Sequence, residues 1–371
     1  MSRGILVGRG ALAILLGVLL VFVLFLGVLL TGCANTEDDG ADDAPNTPSQ
    51  PAEDASGTEP SPSNVAEAAA AEIDESSLRE DLARLTGAFP APLSGGATTI
   101  AERGSEDGRR AAAQYMKESF EAAGVPARIL EFAYNGKRGF NVEADLQGSE
   151  GEKHLWITAH LDSVYNPGAD DDASGLASIL STARALKELD PKHTVHFVAY
   201  DLEEDYLVGS SFYVRSIVSA IREEEGYQAI IGNIQSDMVG YDGEGELDVT
   251  METCDRAGPI DEAILRASEM TDSPITLIEE CDIPSDHVHF WDAGLPAVLL
   301  IEDTKRSYPW YHEPGDTMDK LDFPYLRSMI QLTAAAAALL TVAPESEATV
   351  EQVMPLCGTT GELQRPPCPT G

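Results

Sequence analysis

The chain has 371 residues, 43% hydrophobic and 23% charged, which is enough apolar material for a folded core and excludes a wholly disordered polypeptide. Its 63 Asp and Glu against 24 Lys and Arg give a formal net charge of −39, and no basic cluster interrupts the excess. Binding to nucleic acid or to anionic lipid through a charged patch is thereby excluded.

In residues 1–33, Arg3 and Arg9 precede an apolar run from Ala11 to Thr31 that stops at Leu30-Thr31-Gly32-Cys33. A basic start, an apolar middle and small residues before a cysteine resemble a bacterial lipoprotein signal, with the Cys33 thiol as the lipid attachment point. An uncleaved helix is the alternative, because about 20 apolar residues also span a bilayer. Either reading predicts an extracytoplasmic protein held at a membrane. Residues 34–75 are expected to be an acidic, Pro-rich tether: between Ala34 and Ser63 there are eight acidic residues, five prolines and no Lys or Arg. With Cys33 set aside from the five cysteines, Cys254, Cys281, Cys357 and Cys368 remain. Proximity favours Cys254 with Cys281 and Cys357 with Cys368, out of three possible schemes. A globular region over 76–345 and a tail over 346–371 complete the division.

Helical composition runs from Asn64 to Thr86, and an apolar face of Ala111, Tyr115, Met116, Phe120 and Ala123 predicts a helix over 108–123. Extended segments follow at 127–133, 140–146 and 155–159, then a helix over 174–189 that Asp190-Pro191 ends. Further strands are expected at 194–200, 229–236, near 247–251 and at 297–301, with helices around 209–223, 259–270 and 324–342. Alternation of this kind predicts an α/β fold: a mixed, largely parallel sheet flanked by helices on both faces. Ligand sites in such folds lie beyond the carboxyl ends of the strands.

The chemistry-bearing residues gather at those ends. His160 and Asp162 follow one strand, Glu203 and Glu204 another, and Asp237 a third; Asp170, Asp171 and Asp172 stand in a Gly-flanked loop and His312 in a late one. Imidazoles and carboxylates without thiolates suit Zn²⁺ or another borderline divalent ion, and five ligands fit two ions sharing a carboxylate better than one tetrahedral ion.

The motifs Ala159-His160-Leu161-Asp162-Ser163, Pro167 to Gly175, Glu203-Glu204 with Gly209-Ser210, Ser236-Asp237-Met238, Ser285-Asp286-His287, Gly294-Leu295-Pro296 and Tyr311-His312 with Asp316-Thr317 occur in one order. In that order they resemble the co-catalytic dizinc exopeptidases, which include secreted bacterial aminopeptidases, with glutamate carboxypeptidases and glutaminyl cyclases as relatives. The resemblance covers roughly Leu78 to Thr341 and implies a zinc peptidase domain acting on peptide substrates. It implies that His160 and Asp237 hold one zinc ion, Glu204 and His312 the other, and that Asp171 bridges them, with a cis peptide after Asp171. Glu203 is implied as the general base, Asp162 as the hydrogen-bond partner of the second His160 nitrogen, and Tyr311 as a donor to the oxyanion. Asp286 and Asp316 are implied as supporting groups.

Taken singly, these features have ordinary readings: a histidine after a strand is usually structural, an aspartate triplet a solvated turn, paired glutamates surface charge. His154, His193, His196 and His289 lack a matching motif and read as structural or exposed, and His287 as a packing residue or a support behind the ligands. The leading expectation is a lipid-anchored aminopeptidase. Its rivals are a glutaminyl cyclase-type transferase and a non-catalytic binding ectodomain. Oligomeric state is not readable.

Overall fold

The computed structural model describes residues 61–151, 153–243, 245–302 and 308–343. The Cys33 anchor, the tail over 346–371 and its Cys357–Cys368 pairing lie outside the described residues. Helix α1 (Pro62–Ala71) begins on Ser61, whose hydroxyl accepts the Asn64 N–H at 3.3 Å, with Pro62 in the first turn where no N–H is needed. Val65, Ala66, Ala69 and Ile73 are buried, and Gln331 on the last helix donates to the Ala70 carbonyl at 2.9 Å. The tether expected over 34–75 therefore gives way to packed helix by residue 62, because this apolar face has a partner. One helix was expected over 64–86. Two are present, since Asp74 accepts the Ser77 N–H at 2.9 Å and starts α2 (Glu75–Leu85) afresh.

An unanticipated hairpin of β1 (Ala91–Leu93) and β2 (Gly96–Thr98) precedes α3 (Glu106–Ala122), which Ser105 caps. Strands β3 (Ala127–Tyr134), β4 (Lys137–Leu146) and β5 (His154–His160) lead into α4 (Ala173–Leu189) and β6 (Thr194–Tyr200). Next come α5 (Val208–Tyr213), a π-helical turn over Val214–Val218, α6 (Ser219–Glu225) and β7 (Ile230–Ser236). The chain then forms β8 (Asp248–Glu252), α7 (Pro259–Met270), β9 (Thr276–Glu280), α8 (Val288–Asp292), β10 (Ala297–Glu302) and α9 (Phe323–Thr341). Strand β9 and helix α8 were not anticipated: β9 is an edge strand whose residues are exposed or half-buried, and α8 is five residues long, too short for a helical period to register.

The large sheet has the order β3-β4-β6-β5-β7-β10-β8-β9. Pairs β6/β5, β5/β7, β7/β10 and β8/β9 are parallel, whereas β3/β4, β4/β6 and β10/β8 are antiparallel. The fold is thus mixed α/β with its parallel core in the middle. On β5, Leu155, Ile157 and Ala159 join the cluster under α1–α4, α7 and α9, while Trp156 joins a second cluster with Tyr213, Val218 and Phe290 on the other face. Both faces are covered, which is why the central strands read as near-continuous apolar runs. Cys254 and Cys281 form the expected disulfide, with Cα atoms 4.8 Å apart.

Candidate metal centre

Because β5, β6 and β7 run parallel, their carboxyl ends share one edge, and a single aspartate ties that edge together. Asp172 Oδ2 accepts the His160 N–H at 3.0 Å, and its Oδ1 accepts the N–H groups of Gly175 (2.9 Å) and Met238 (3.3 Å). The end of β5, the first turn of α4 and the residues after β7 thereby share one acceptor. Gly175 has to be glycine: a Cβ there would lie 2.4 Å from Asp172 Oδ1 and 2.6 Å from the Ser236 carbonyl oxygen. With Asp172 engaged by backbone, Asp171 faces the imidazoles, across a cis Asp171–Asp172 peptide.

The structure brings the five expected ligands together. His160 Nε2 is 2.9 Å from Asp171 Oδ1 and 3.6 Å from Asp237 Oδ1. His312 Nε2 is 3.2 Å from Asp171 Oδ2 and 3.1 Å from Glu204 Oε2. Each oxygen of Asp171 therefore points at a different imidazole, and each imidazole has a second carboxylate beside it. These groups fit cations better than they fit one another. His312 Nε2 lies close to two oxygens without the alignment of a hydrogen bond, and His160 Nδ1 and Glu204 Oε1 are also buried without partners. Sets of three ligand atoms within 4.8 Å of one another include His160 with Glu203 and Glu204, and Asp171 with Glu204 and His312.

Glu203 stands beside this set. Burial lifts its carboxyl well above the usual range, with His160 opposing and Asp286, Asp237 and Glu204 adding to the rise. Tyr311, 48% exposed, stacks on the His312 ring with centroids 3.8 Å apart.

The hydrogen bond expected between Asp162 and the second His160 nitrogen is not made: the closest approach is 3.7 Å. Asp162 instead accepts the N–H groups of Glu203 (3.0 Å) and Glu204 (3.3 Å), because the loop after β6 supplies donors in better line with its two oxygens. Asp316 behaves as a support, accepting the N–H groups of Asp170 (2.9 Å) and Asp171 (3.2 Å) and the Tyr308 hydroxyl (2.7 Å). Asp286 is buried near the centre with both oxygens unpartnered, and neither nitrogen of His287 has a partner.

Three supports escaped the sequence reading. Arg103 is fully buried and donates to the carbonyls of Leu161 (2.8 Å), Pro167 (2.7 Å), Gly168 (2.9 Å) and Leu85 (3.1 Å), holding the loop from inside. Arg109 pairs with Asp201 at 3.0 Å, and Asp201 caps the Phe140 and Leu202 N–H groups at the start of the Glu203 loop. Gln235 Nε2 donates to Ser285 Oγ and Ser285 Oγ donates to Asp237 Oδ2, both at 2.7 Å, leaving Asp237 Oδ1 for His160. Of these residues only Ser285 falls in a motif noted from the sequence, and that motif does not reveal its bonds to Gln235 and Asp237. Elsewhere, His154 and His196 share a hydrogen bond at 2.9 Å and end on Glu225 and Asp145, a structural arrangement as expected.

Aminopeptidase YwaD of Bacillus subtilis (strain 168) is 32% identical over 187 residues, 49% of this chain and 40% of that protein. The chain spans less than half the length of the first curated relatives that it matches. Among solved structures, a zinc aminopeptidase from Bacillus subtilis superposes with a TM-score of 0.63 at 16% identity, covering 72% of this chain and 95% of the other. A glutaminyl cyclase from Fimbriiglobus ruber gives a TM-score of 0.60 at 18% identity, covering 72% and 95%. The model of peptidase family M28 matches residues 141–337, more than half of the 371 residues and the whole span from β4 into α9 that builds the centre, and the chain belongs to that family.

Proposed function

We propose that the chain is a zinc-dependent aminopeptidase that removes N-terminal residues from peptides outside the cytoplasm, held at a membrane through a lipid on Cys33. The observation that carries the catalytic part is the Asp171 carboxylate, one oxygen turned to His160 and the other to His312, with Asp237 and Glu204 completing the two sets. Nitrogen and oxygen donors without thiolate suit zinc. Two such cations supply, when bound, positive charge that polarises a carbonyl and acidifies water.

The remaining work falls to side chains of this chain. Glu203 takes the proton of the attacking water on a carboxylate oxygen and passes it to the leaving amine nitrogen. Asp162 fixes the backbone of Glu203 and Glu204, so base and ligand move as one unit. Tyr311 donates its phenolic proton in a hydrogen bond to the oxyanion while its ring stays stacked on His312.

Glu203→Gln is expected to keep the fold and bind zinc in the same ratio while losing at least about 100-fold in turnover of aminoacyl anilides. Unimpaired hydrolysis by that variant overturns the assignment of the base. Ring closure of an N-terminal glutamine is separated by mass: loss of ammonia from a Gln-peptide indicates a cyclase, loss of a residue a peptidase. A zinc-loaded protein that turns over neither is a binding ectodomain. Growth with an alkyne-tagged fatty acid is expected to label the protein and Cys33→Ala to abolish the label; an unlabelled parent protein, or undiminished labelling of that variant, argues against the lipid.

A further inference from the structure

Strand β3 is antiparallel to β4 and β4 to β6, so β3 and β6 point the same way and Tyr134 ends at the same edge as Tyr200. Between that end of β3 and α5 lies a cavity of about 510 Å³, lined by Phe132, Tyr134, Tyr206, Val208, Phe212 and Arg215 among others. Of its lining residues, Phe132 and Val208 pack with the buried Leu202 in one apolar cluster, and Phe212 stacks on Phe132 with centroids 5.0 Å apart. Tyr206 and Val208 follow Glu203 by three and five residues, so one segment carries both the candidate base and part of the groove lining. Lys137, the first residue of β4, pairs with Asp205 and fastens that segment to the β3–β4 hairpin.

Large apolar surface is ordinarily hidden, yet here Tyr206 is 91% exposed, with Tyr134 and Phe212 also exposed. Leu202, Tyr206 and Leu207 are all held at positive φ, a costly conformation for residues with a Cβ that tends to persist where function requires it. The volume falls in the range of small-ligand pockets.

We propose that this groove binds the part of a peptide substrate on the leaving-group side of the scissile bond and takes an aromatic or large aliphatic side chain there. The inference rests on the aminopeptidase reading. A base that hands its proton to the leaving amine must lie next to that amine. The residues following the amine therefore depart past the segment that starts at Glu203, whose Tyr206 and Val208 line this groove. Arg215, exposed and without an ion pair among the described residues, gives the edge of the groove a positive charge in a chain of net −39, which tolerates a peptide carboxylate.

The test measures the affinity of zinc-loaded protein, by calorimetry, for hexapeptides with a reduced, uncleavable first bond. Phe is placed in turn at the second to fifth residue of an otherwise Leu-then-Gly chain. At one or two positions Phe tightens binding at least about fivefold, and Tyr206→Ala with Phe212→Ala removes that gain. Tyr206→Ala alone, at a side chain with almost no packing to lose, shifts affinity the same way if the double variant fails to fold. No gain at any position in the unaltered protein, or a gain that survives both substitutions, overturns the proposal. If the gain behaves as expected while unreduced peptides of the same sequence lose no N-terminal residue, the groove stands and the aminopeptidase reading fails.

Discussion

Ser285→Ala isolates one link in the support of the candidate metal centre. The hydroxyl donates to Asp237 Oδ2 and accepts from Gln235 Nε2, both at 2.7 Å, in a region where Ser285 is 2% and Gln235 0% exposed. Removing it deletes a bond to a carboxylate and strands the Gln235 amide in the interior, whose other end still accepts the His287 N–H at 2.5 Å. A buried donor without a partner costs about 1–3 kcal/mol, which corresponds to a fall in melting temperature of roughly 2–12 °C for a domain of this size. Asp237 also loses the contact that turns its Oδ1 toward His160, and loss of such a partner behind a ligand weakens metal binding about 10–100-fold. The two effects are separable: competition with a chromophoric chelator should show one weakened and one little-changed zinc equivalent, because Glu204 and His312 do not touch Ser285. Ser285→Thr, which keeps the hydroxyl, should restore most of the affinity. Two unchanged equivalents in Ser285→Ala would refute the reasoning, as would equal weakening of both.

His287 is buried, and desolvation pulls its pKa down to about 3, with His289 adding to the fall. The folded state therefore excludes a proton that the unfolded chain accepts near 6.5. The stability this contributes is complete above that pH and is lost as pH falls from there toward about 3. Between pH 6 and pH 5 the unaltered protein should lose about 1 kcal/mol more than His287→Phe, read by urea unfolding at each pH; parallel losses would contradict it. Replacing both Cys254 and Cys281 by Ser opens a link between residues 27 apart in sequence and should cost about 3–4 kcal/mol in denaturant midpoints, with no loss under non-reducing conditions counting against it. Arg109→Met leaves Asp201 buried with an unpaired charge and should destabilise by about 3–5 kcal/mol in the same assay. A change below 1 kcal/mol would mean that the pair is not held as described.

The middle of the fold was legible because its signals are local. Both-face burial makes β5, β6 and β7 continuous apolar runs; His160 closes the first, Glu203-Glu204 stands just past the second and Asp237 directly follows the third, so their common edge could be placed from order alone. The split between α1 and α2 was missed because Asp74 acts as a cap only through its bond to Ser77, which a residue count cannot show. The role of Asp162 was misplaced for a related reason. The family resemblance implies a contact with the His160 ring, but the loop after β6, distant in sequence, supplies the donors that Asp162 accepts. Arg103, Gln235 and the bonding role of Ser285 escaped because their partners lie on other segments: Arg103 is 58 residues from Leu161, and Ser285 is 50 from Gln235.

Arg103 also bears on how the site is filled. A guanidinium sealed beneath the 161–171 segment draws three of its carbonyl oxygens inward, and Asp316 holds the amides of Asp170 and Asp171. That segment keeps its shape through its own bonds, so the receptacle is preformed and its capture of ions need not wait on folding. Backbone amide exchange across it should stay slow after dialysis against chelator, and reloading should proceed at the speed of diffusion through the mouth.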